Sequence, residues 1–175
     1  SERTLVIVSS DNGPWFQGRR AELRGRKMDV FEGGTRVPFI AAWPGRITAG
    51  QVVDTPVSAL DLFPTVLDLA GLPPPDDRAV DGISLADWMR GGGSRPERPI
   101  YFQQLGVPRA VRLGRFKYHD RHAVYYGNPM NWKWAPMRYQ GPWLFDLELD
   151  PEEAYDVSGR HPTEGERLAR LLDDW

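Results

Sequence analysis

Asp11, Asn12 and Lys27 are the residues of this chain whose types and spacing could do chemistry. The stretch SSDNGP, Ser9 to Pro14, ends an apolar strand with a carboxylate and a side-chain amide in succession. Their oxygens are hard donors suited to Ca²⁺, with Mg²⁺ as the smaller option. In open α/β sheets, ligands bind beyond the carboxyl ends of the strands, where this pair would sit. Asp-Asn-Gly-Pro is also rich in turn formers, and alone it reads as a turn. Lys27 follows in GRKMDVFEGGTR, among Arg24, Arg26 and Arg36. An ammonium beside an oxygen-ligated cation makes a pocket for a tetrahedral oxyanion, with positive charge on two sides. Taken singly, a loop lysine is a solvated charge, and Gly33-Gly34 is a hinge or turn.

Other candidates are weaker. The chain has three histidines and no cysteine. A thiolate metal site, a disulfide and a cysteine nucleophile are therefore excluded, and Zn²⁺ is disfavoured. His119 and His122, in KYHDRH, read as surface histidines in a strand or turn rather than as ligands. His161, before Pro162, reads as part of a helix cap. The segment from Ala123 to Trp143 is crowded with aromatics. Its plain reading is a loop packed on a small sheet. The sharper one makes Trp132 and Trp134 a rim for a sugar ring or an aryl group.

Several elements must position these groups. Leu5 to Val8 is apolar at consecutive positions, the pattern of a strand covered on both faces inside a parallel sheet. Only Val37 to Trp43 resembles it. Two such strands do not make a doubly wound sheet, so the sheet is expected to be incomplete, with an N-terminal part of the domain lying outside these residues. The polar, glycine-bearing connection over 10–36 is of the length that carries function. DLFPTVLDLAG predicts a helix with Asp61 as N-cap and Gly71 just past its end. A short helix is expected over Ser84–Arg90, and GGGSRPERP reads as a flexible boundary. Beyond it, IYFQQL, RAVRLG, RFKYHD and WLFDLEL alternate as a small antiparallel sheet with one wet face. Leu168, Leu171, Leu172 and Trp175 then mark an amphipathic closing helix. The division expected is 1–92 for the C-terminal part of an α/β domain and 93–175 for a small subdomain of antiparallel sheet plus helix.

The totals limit the functional classes. With 175 residues, 41% hydrophobic and 26% charged, the chain is globular. A net charge of -2, from 22 basic and 24 acidic residues, offers no footprint for nucleic acid. No apolar run reaches the length of a membrane span.

Five stretches in one order carry a resemblance: SSDNGP, GRKMDVFEGGTRVPFIAAWPGRI, VSALDLFPTVLDLAGLP, DGISL and LFDLELDPEEAYDVS. Together they are similar to the C-terminal portion of the formylglycine-dependent sulfatases, arylsulfatase-like members of the alkaline phosphatase superfamily. The resemblance implies an alkaline-phosphatase-like α/β sandwich domain, its sheet incomplete here, followed by the small antiparallel subdomain with its helix. It implies that Asp11 and Asn12 ligate Ca²⁺ and that Lys27 contacts the sulfate of a sulfated small molecule or glycan. Glu32, Gly33, Gly34 and Arg36 would shape the loop presenting Lys27, and Asp81-Gly82 and Asp156 would be structural. Because the small subdomain of some sulfatases lends residues to the substrate rim, His119 becomes a candidate there.

In that family a Cys or Ser in C/S-x-P-x-R becomes the formylglycine nucleophile. It is expected upstream of Leu5; SRPER, Ser94–Arg98, is set aside on spacing and on its place in the linker. These residues alone are accordingly expected to be inactive. The compartments implied are periplasmic, secreted or lysosomal. Two alternatives stand beside this one: a phosphonate monoester or phosphodiester hydrolase of the same superfamily, since an ammonium does not distinguish sulfur from phosphorus, and a non-catalytic relative that binds an anion.

Overall fold

The computed structural model describes residues 2–15, 17–19, 21–92, 97–125 and 137–175, the side chains of Tyr125, Met137 and Arg138 excepted. The chain divides into two compact units, Ser1–Ser9 with Phe39–Glu97 and Ser10–Pro38 with Arg98–Trp175. The long connection thus groups with the C-terminal residues. A sequence boundary at 92/93 does not register this, because the bonds that tie 10–38 to the C-terminal residues, such as Arg24 to Glu153 and Lys117 to Glu32, join positions remote in sequence.

In the first unit, β1 (Val6–Ser9) pairs with β2 (Phe39–Ala42). The pairing is antiparallel, Val6 opposite Ala42 and Ser9 opposite Phe39, which corrects the parallel arrangement expected from the apolar run. Consecutive apolar residues report burial on two faces and say nothing of strand direction. Val8 and Ile40 are 55% and 61% exposed, so the two-face cover is not supplied among the described residues.

One turn of 3₁₀ helix (Ala59–Asp61) leads into helix α2 (Leu62–Ala70), closed by Gly71 at φ +71°, the left-handed position that favours glycine. Asp61 stands at the N-cap position of α2, as expected, but its side chain makes no capping bond there. Its buried carboxylate accepts the backbone N–H of Ser58 at 2.8 Å and of Ile83 at 3.0 Å, while the Ser58 hydroxyl accepts the N–H of Leu60. Thr65 donates to the Asp61 carbonyl and accepts from Leu85 N–H, fixing the start of helix α3 (Ala86–Met89). Gly82 abuts the Leu60 carbonyl, where a Cβ would lie 2.0 Å from the oxygen. Asp81-Gly82 is thereby placed in a structural turn.

The second unit contains the single-turn helix α1 (Glu32–Thr35) and a four-stranded antiparallel sheet. The sheet is built from β3 (Ile100–Gln104), β4 (Val107–Leu113), β5 (Phe116–His119) and β8 (Trp143–Asp146) in the order β3-β4-β5-β8. A separate pair joins β6 (His122–Tyr125) to β7 (Met137–Gln140). Helix α4 (Pro162–Asp173) lays Leu168 and Leu172 on Val111 and Leu144, with Phe116 and Tyr118 at the margin. Burying each leucine contributes about 1.5–3 kcal/mol. A second cluster, Phe31, Val124, Phe145 and Leu147, joins the connection to the sheet. The antiparallel subdomain and its closing helix are as the sequence pattern predicts. One face of the sheet is not wet, however: Lys117 and His119 on β5 are fully buried. Asp156 is structural, accepting the backbone N–H groups of Leu144 and Ser158, each at 3.0 Å.

Candidate anion and metal site

Close backbone approach brings the Asp-Asn turn and the lysine segment together within the second unit. Gly13 N–H donates to the Gly34 carbonyl at 2.8 Å, Gly33 N–H to Arg24 O at 2.6 Å, and Lys27 N–H to Pro14 O at 3.1 Å. A Cβ on Gly13 would lie 2.0 Å from Gly33 O, one on Gly33 2.5 Å from Arg24 O, and one on Gly34 2.2 Å from Asp29 O. Only residues without side chains let these three strands of backbone touch. The glycines are therefore structural, as read from the sequence, and their role is contact rather than hinge motion.

Asp11 and Lys27 have exposed side chains, and Asn12 is half-buried. The Asn12 amide donates to the Asp11 carboxylate at 2.5 Å. That bond is the main cause of a lowered Asp11 pKa, and the Lys27 ammonium adds to it. The carboxylate is thus ionised at neutral pH, with a positive charge near enough to act on it. Two hard oxygen donors fit a Ca²⁺ ion, which takes six to eight. No group of three or more His, Asp or Glu placed to hold a metal occurs among the described residues, so the remaining donors would have to come from elsewhere.

The second unit also holds a buried ionic cluster that sequence reasoning missed. Lys117 Nζ contacts Glu32 Oε1 at 2.9 Å and Glu153 Oε1 at 3.4 Å. His119 Nε2 is 2.7 Å from Glu153 Oε1, and Arg112 reaches Glu32 Oε2 at 3.5 Å. Burial drives the His119 pKa down to about 4 against the opposing pull of Glu153. The ring is therefore neutral near pH 7, and the contact is a hydrogen bond donated to the carboxylate. Burial works to raise the Glu153 carboxyl, but the Lys117 ammonium and the bonds from His119 and Glu32 N–H outweigh it and bring it to about 2.

His119 therefore sits in the core, stacked 4.8 Å from the Phe31 ring, rather than at a surface or rim. His122 is buried too, its Nδ1 on the Asp120 carbonyl at 2.9 Å. Reading both as surface histidines is corrected. A buried imidazole needs only a hydrogen-bond partner for one nitrogen and a stacking ring, and alternation alone shows neither. His161 precedes helix α4 without a side-chain capping bond, its ring instead packing on Phe116. Trp132 and Trp134 lie outside the described residues. One exclusion made on the sequence also needs correcting: Ser94, Pro96 and Arg98 do stand at S-x-P-x-R spacing. The ground that remains for setting SRPER aside is its place in the glycine-rich boundary, against the expectation of a nucleophile upstream of Leu5.

The chain is similar to known proteins of one family. A family model described as Sulfatase matches residues 1–72. N-acetylgalactosamine-6-sulfatase from Canis lupus familiaris is 45% identical over 125 residues, covering 68% of this chain and 24% of the relative. Human (Homo sapiens) arylsulfatase A is 34% identical over 174 residues, covering 90% of this chain and 34% of the relative. The crystal structure of the PsFucS1 sulfatase from Pseudoalteromonas sp. superposes with a TM-score of 0.85 at 29% identity, covering 99% of this chain and 36% of that one. The chain spans about a quarter to a third of the length of the curated relatives it matches. With motif order, fold and relatives in agreement, the chain belongs with the sulfatases and corresponds to a C-terminal portion of them.

Proposed function

We propose that these residues supply one wall of a sulfate-ester hydrolase site, completed by sequence outside residues 1–175. Lys27 grips the sulfate. Asp11 and Asn12 hold a Ca²⁺ ion, or Mg²⁺ in its place. The observation that carries this reading is the backbone contact of the two segments, Lys27 N–H to Pro14 O at 3.1 Å and Gly13 N–H to Gly34 O at 2.8 Å, with the Lys27 charge adding to the lowering of the Asp11 pKa. A metal-type donor and an ammonium are thereby presented on adjoining backbone.

A sulfate ester is anionic, and attack on its sulfur must overcome charge repulsion. The chemistry a bound divalent cation supplies is charge neutralisation and activation of an oxygen nucleophile. Lys27, exposed and charged, lowers the cost of bringing the anion in and holds it oriented. The nucleophile in this reading is a formylglycine outside these residues, so residues 1–175 alone are inactive. The substrate proposed is a sulfated glycan or small molecule, in keeping with a relative whose name specifies N-acetylgalactosamine 6-sulfate chemistry. The compartment proposed is periplasmic, secreted or lysosomal.

The test is a titration of the chain with Ca²⁺ and then inorganic sulfate, followed at the ¹³C-dimethylated amine of Lys27. Sulfate is expected to shift that resonance when Ca²⁺ is present, and Asp11→Ala to suppress the shift. A Lys27 signal indifferent to sulfate overturns the reading, as does brisk aryl sulfate turnover by these residues alone.

A further inference from the structure

One residue, Glu153, holds both flanks of the segment that carries Lys27. On the C-terminal flank its Oε2 accepts the backbone N–H of Glu32 at 2.6 Å. On the N-terminal flank its main-chain carbonyl accepts Arg24 Nη1 at 2.9 Å. The Arg24 guanidinium also lies 4.1 Å over the Phe31 ring. Between these anchors the chain makes a compact turn, in which Asp29 Oδ2 accepts Arg26 N–H at 3.0 Å and Asp29 N–H donates to Arg26 O at 2.9 Å. Lys27 stands exposed within that turn.

The anchor itself is held rigidly. Glu153 is wholly buried and adopts φ +54°, a left-handed conformation that costs a non-glycine residue energy. Its other oxygen, Oε1, takes His119 Nε2 at 2.7 Å and Lys117 Nζ at 3.4 Å, both from β5. Lys117 in turn reaches Glu32 Oε1 at 2.9 Å. A buried carboxylate persists only with such partners. Here they consist of the sheet on one side and the lysine segment on the other.

We infer that Glu153 is a positioning residue for Lys27, transmitting the rigidity of the small sheet to the anion-gripping amine. The inference rests on the reading of Lys27 as the sulfate contact. It assigns the small subdomain a part in the site that does not require any of its residues to touch substrate.

Amide hydrogen exchange over Arg24–Glu32, together with the sulfate response of Lys27, tests this in the 175-residue chain. Glu153→Gln keeps the shape and an acceptor for Glu32 N–H but removes the charge facing Lys117. A charge-assisted bond lost at this anchor quickens exchange over the segment by about tenfold or more and weakens the sulfate response correspondingly. Leu172→Ala, in helix α4 and buried away from the segment, destabilises the unit but leaves the sulfate midpoint at Lys27 unchanged. Should Glu153→Gln fail to fold, Arg24→Gln cuts the main-chain anchor and the guanidinium's packing on Phe31 while leaving the Glu153 carboxylate in place, with the same direction expected. Exchange and sulfate response of the unaltered chain in the anchor variant overturn the inference. Faster exchange in that variant, with no sulfate response even in the unaltered chain, upholds the clamp and refutes the anion reading instead.

Discussion

His119 Nε2 lies 2.7 Å from Glu153 Oε1 with both side chains inaccessible to solvent. The pairing makes the second unit acid-sensitive in a defined direction. His119 is held at about 4, below its ordinary 6.5, chiefly by burial. Glu153 is held at about 2, below 4.5, by Lys117 and its hydrogen bonds overcoming burial. In both cases the unfolded chain binds the proton more readily, so stability rises with pH across each window. The His119 contribution is complete above about pH 6.5 and is lost as pH falls towards 4; the Glu153 contribution is lost from about 4.5 towards 2. Burial lowers His122 as well, adding to the upper window. The unfolding free energy from urea titrations is expected to fall steadily from pH 7 to 4, by an amount on the order of a few kcal/mol, with the midpoints falling in step. His119→Gln should flatten the upper part of that curve. Midpoints that stay level from pH 7 to 4 would contradict the assignment.

Lys117 separates two buried carboxylates, Glu32 and Glu153. Removing it leaves like charges in a low-dielectric interior. Lys117→Met is expected to destabilise the chain by about 3–5 kcal/mol, the scale for breaking a buried ion pair from one side. The double change Lys117→Met with Glu32→Gln should recover part of that loss, since the repulsion between Glu32 and Glu153 goes with it, and only part, since Arg112 then loses its carboxylate partner. Urea unfolding of the two variants checks the order; a double variant no more stable than the single would show that the charges are not what couples these residues.

Lys117 and His119 mark the line between what the sequence made legible and what it hid. Alternation in IYFQQL, RAVRLG and WLFDLEL gave a sheet because one side chain in two faces helix α4. The leucine spacing of α4 worked for the same reason. On β5, FKYH, the rule inverts. Phe116 and Tyr118 border α4, while Lys117 and His119 point into the core. Polar residues at alternate positions read as a wet face until their partners are known, and those partners, Glu32 and Glu153, come from remote segments. Asp11, Asn12 and Lys27 are proposed from motif order, and the backbone contacts of Gly13, Gly33 and Gly34 bring their segments together. Glu153 lay in plain view within LDPEE, yet only its left-handed backbone and its bonds to both loop flanks reveal what it does. The direction of β1 was beyond reach, because an apolar run encodes cover and not pairing.

Gly13 tests whether the turn holding Asp11 and Asn12 must touch the Glu32-Gly33-Gly34 segment. Its N–H donates to Gly34 O at 2.8 Å, and an added Cβ would lie 2.0 Å from Gly33 O and 2.8 Å from Gly34 Cα. The obstacle is backbone, which cannot rotate aside as a side chain would. Gly13→Ala must therefore push the two loops apart, costing about 2 kcal/mol or more by analogy with overpacked cores. Gly159→Ala is the control, because a Cβ there meets nothing within 4 Å. Thermal unfolding is expected to show a lowered midpoint for Gly13→Ala and little change for Gly159→Ala. The decisive reading is local: the Lys27 amide, bonded to Pro14 O at 3.1 Å, should lose exchange protection in Gly13→Ala alone. Equal protection in both variants would mean that the lysine segment does not depend on this contact for its place beside Asp11.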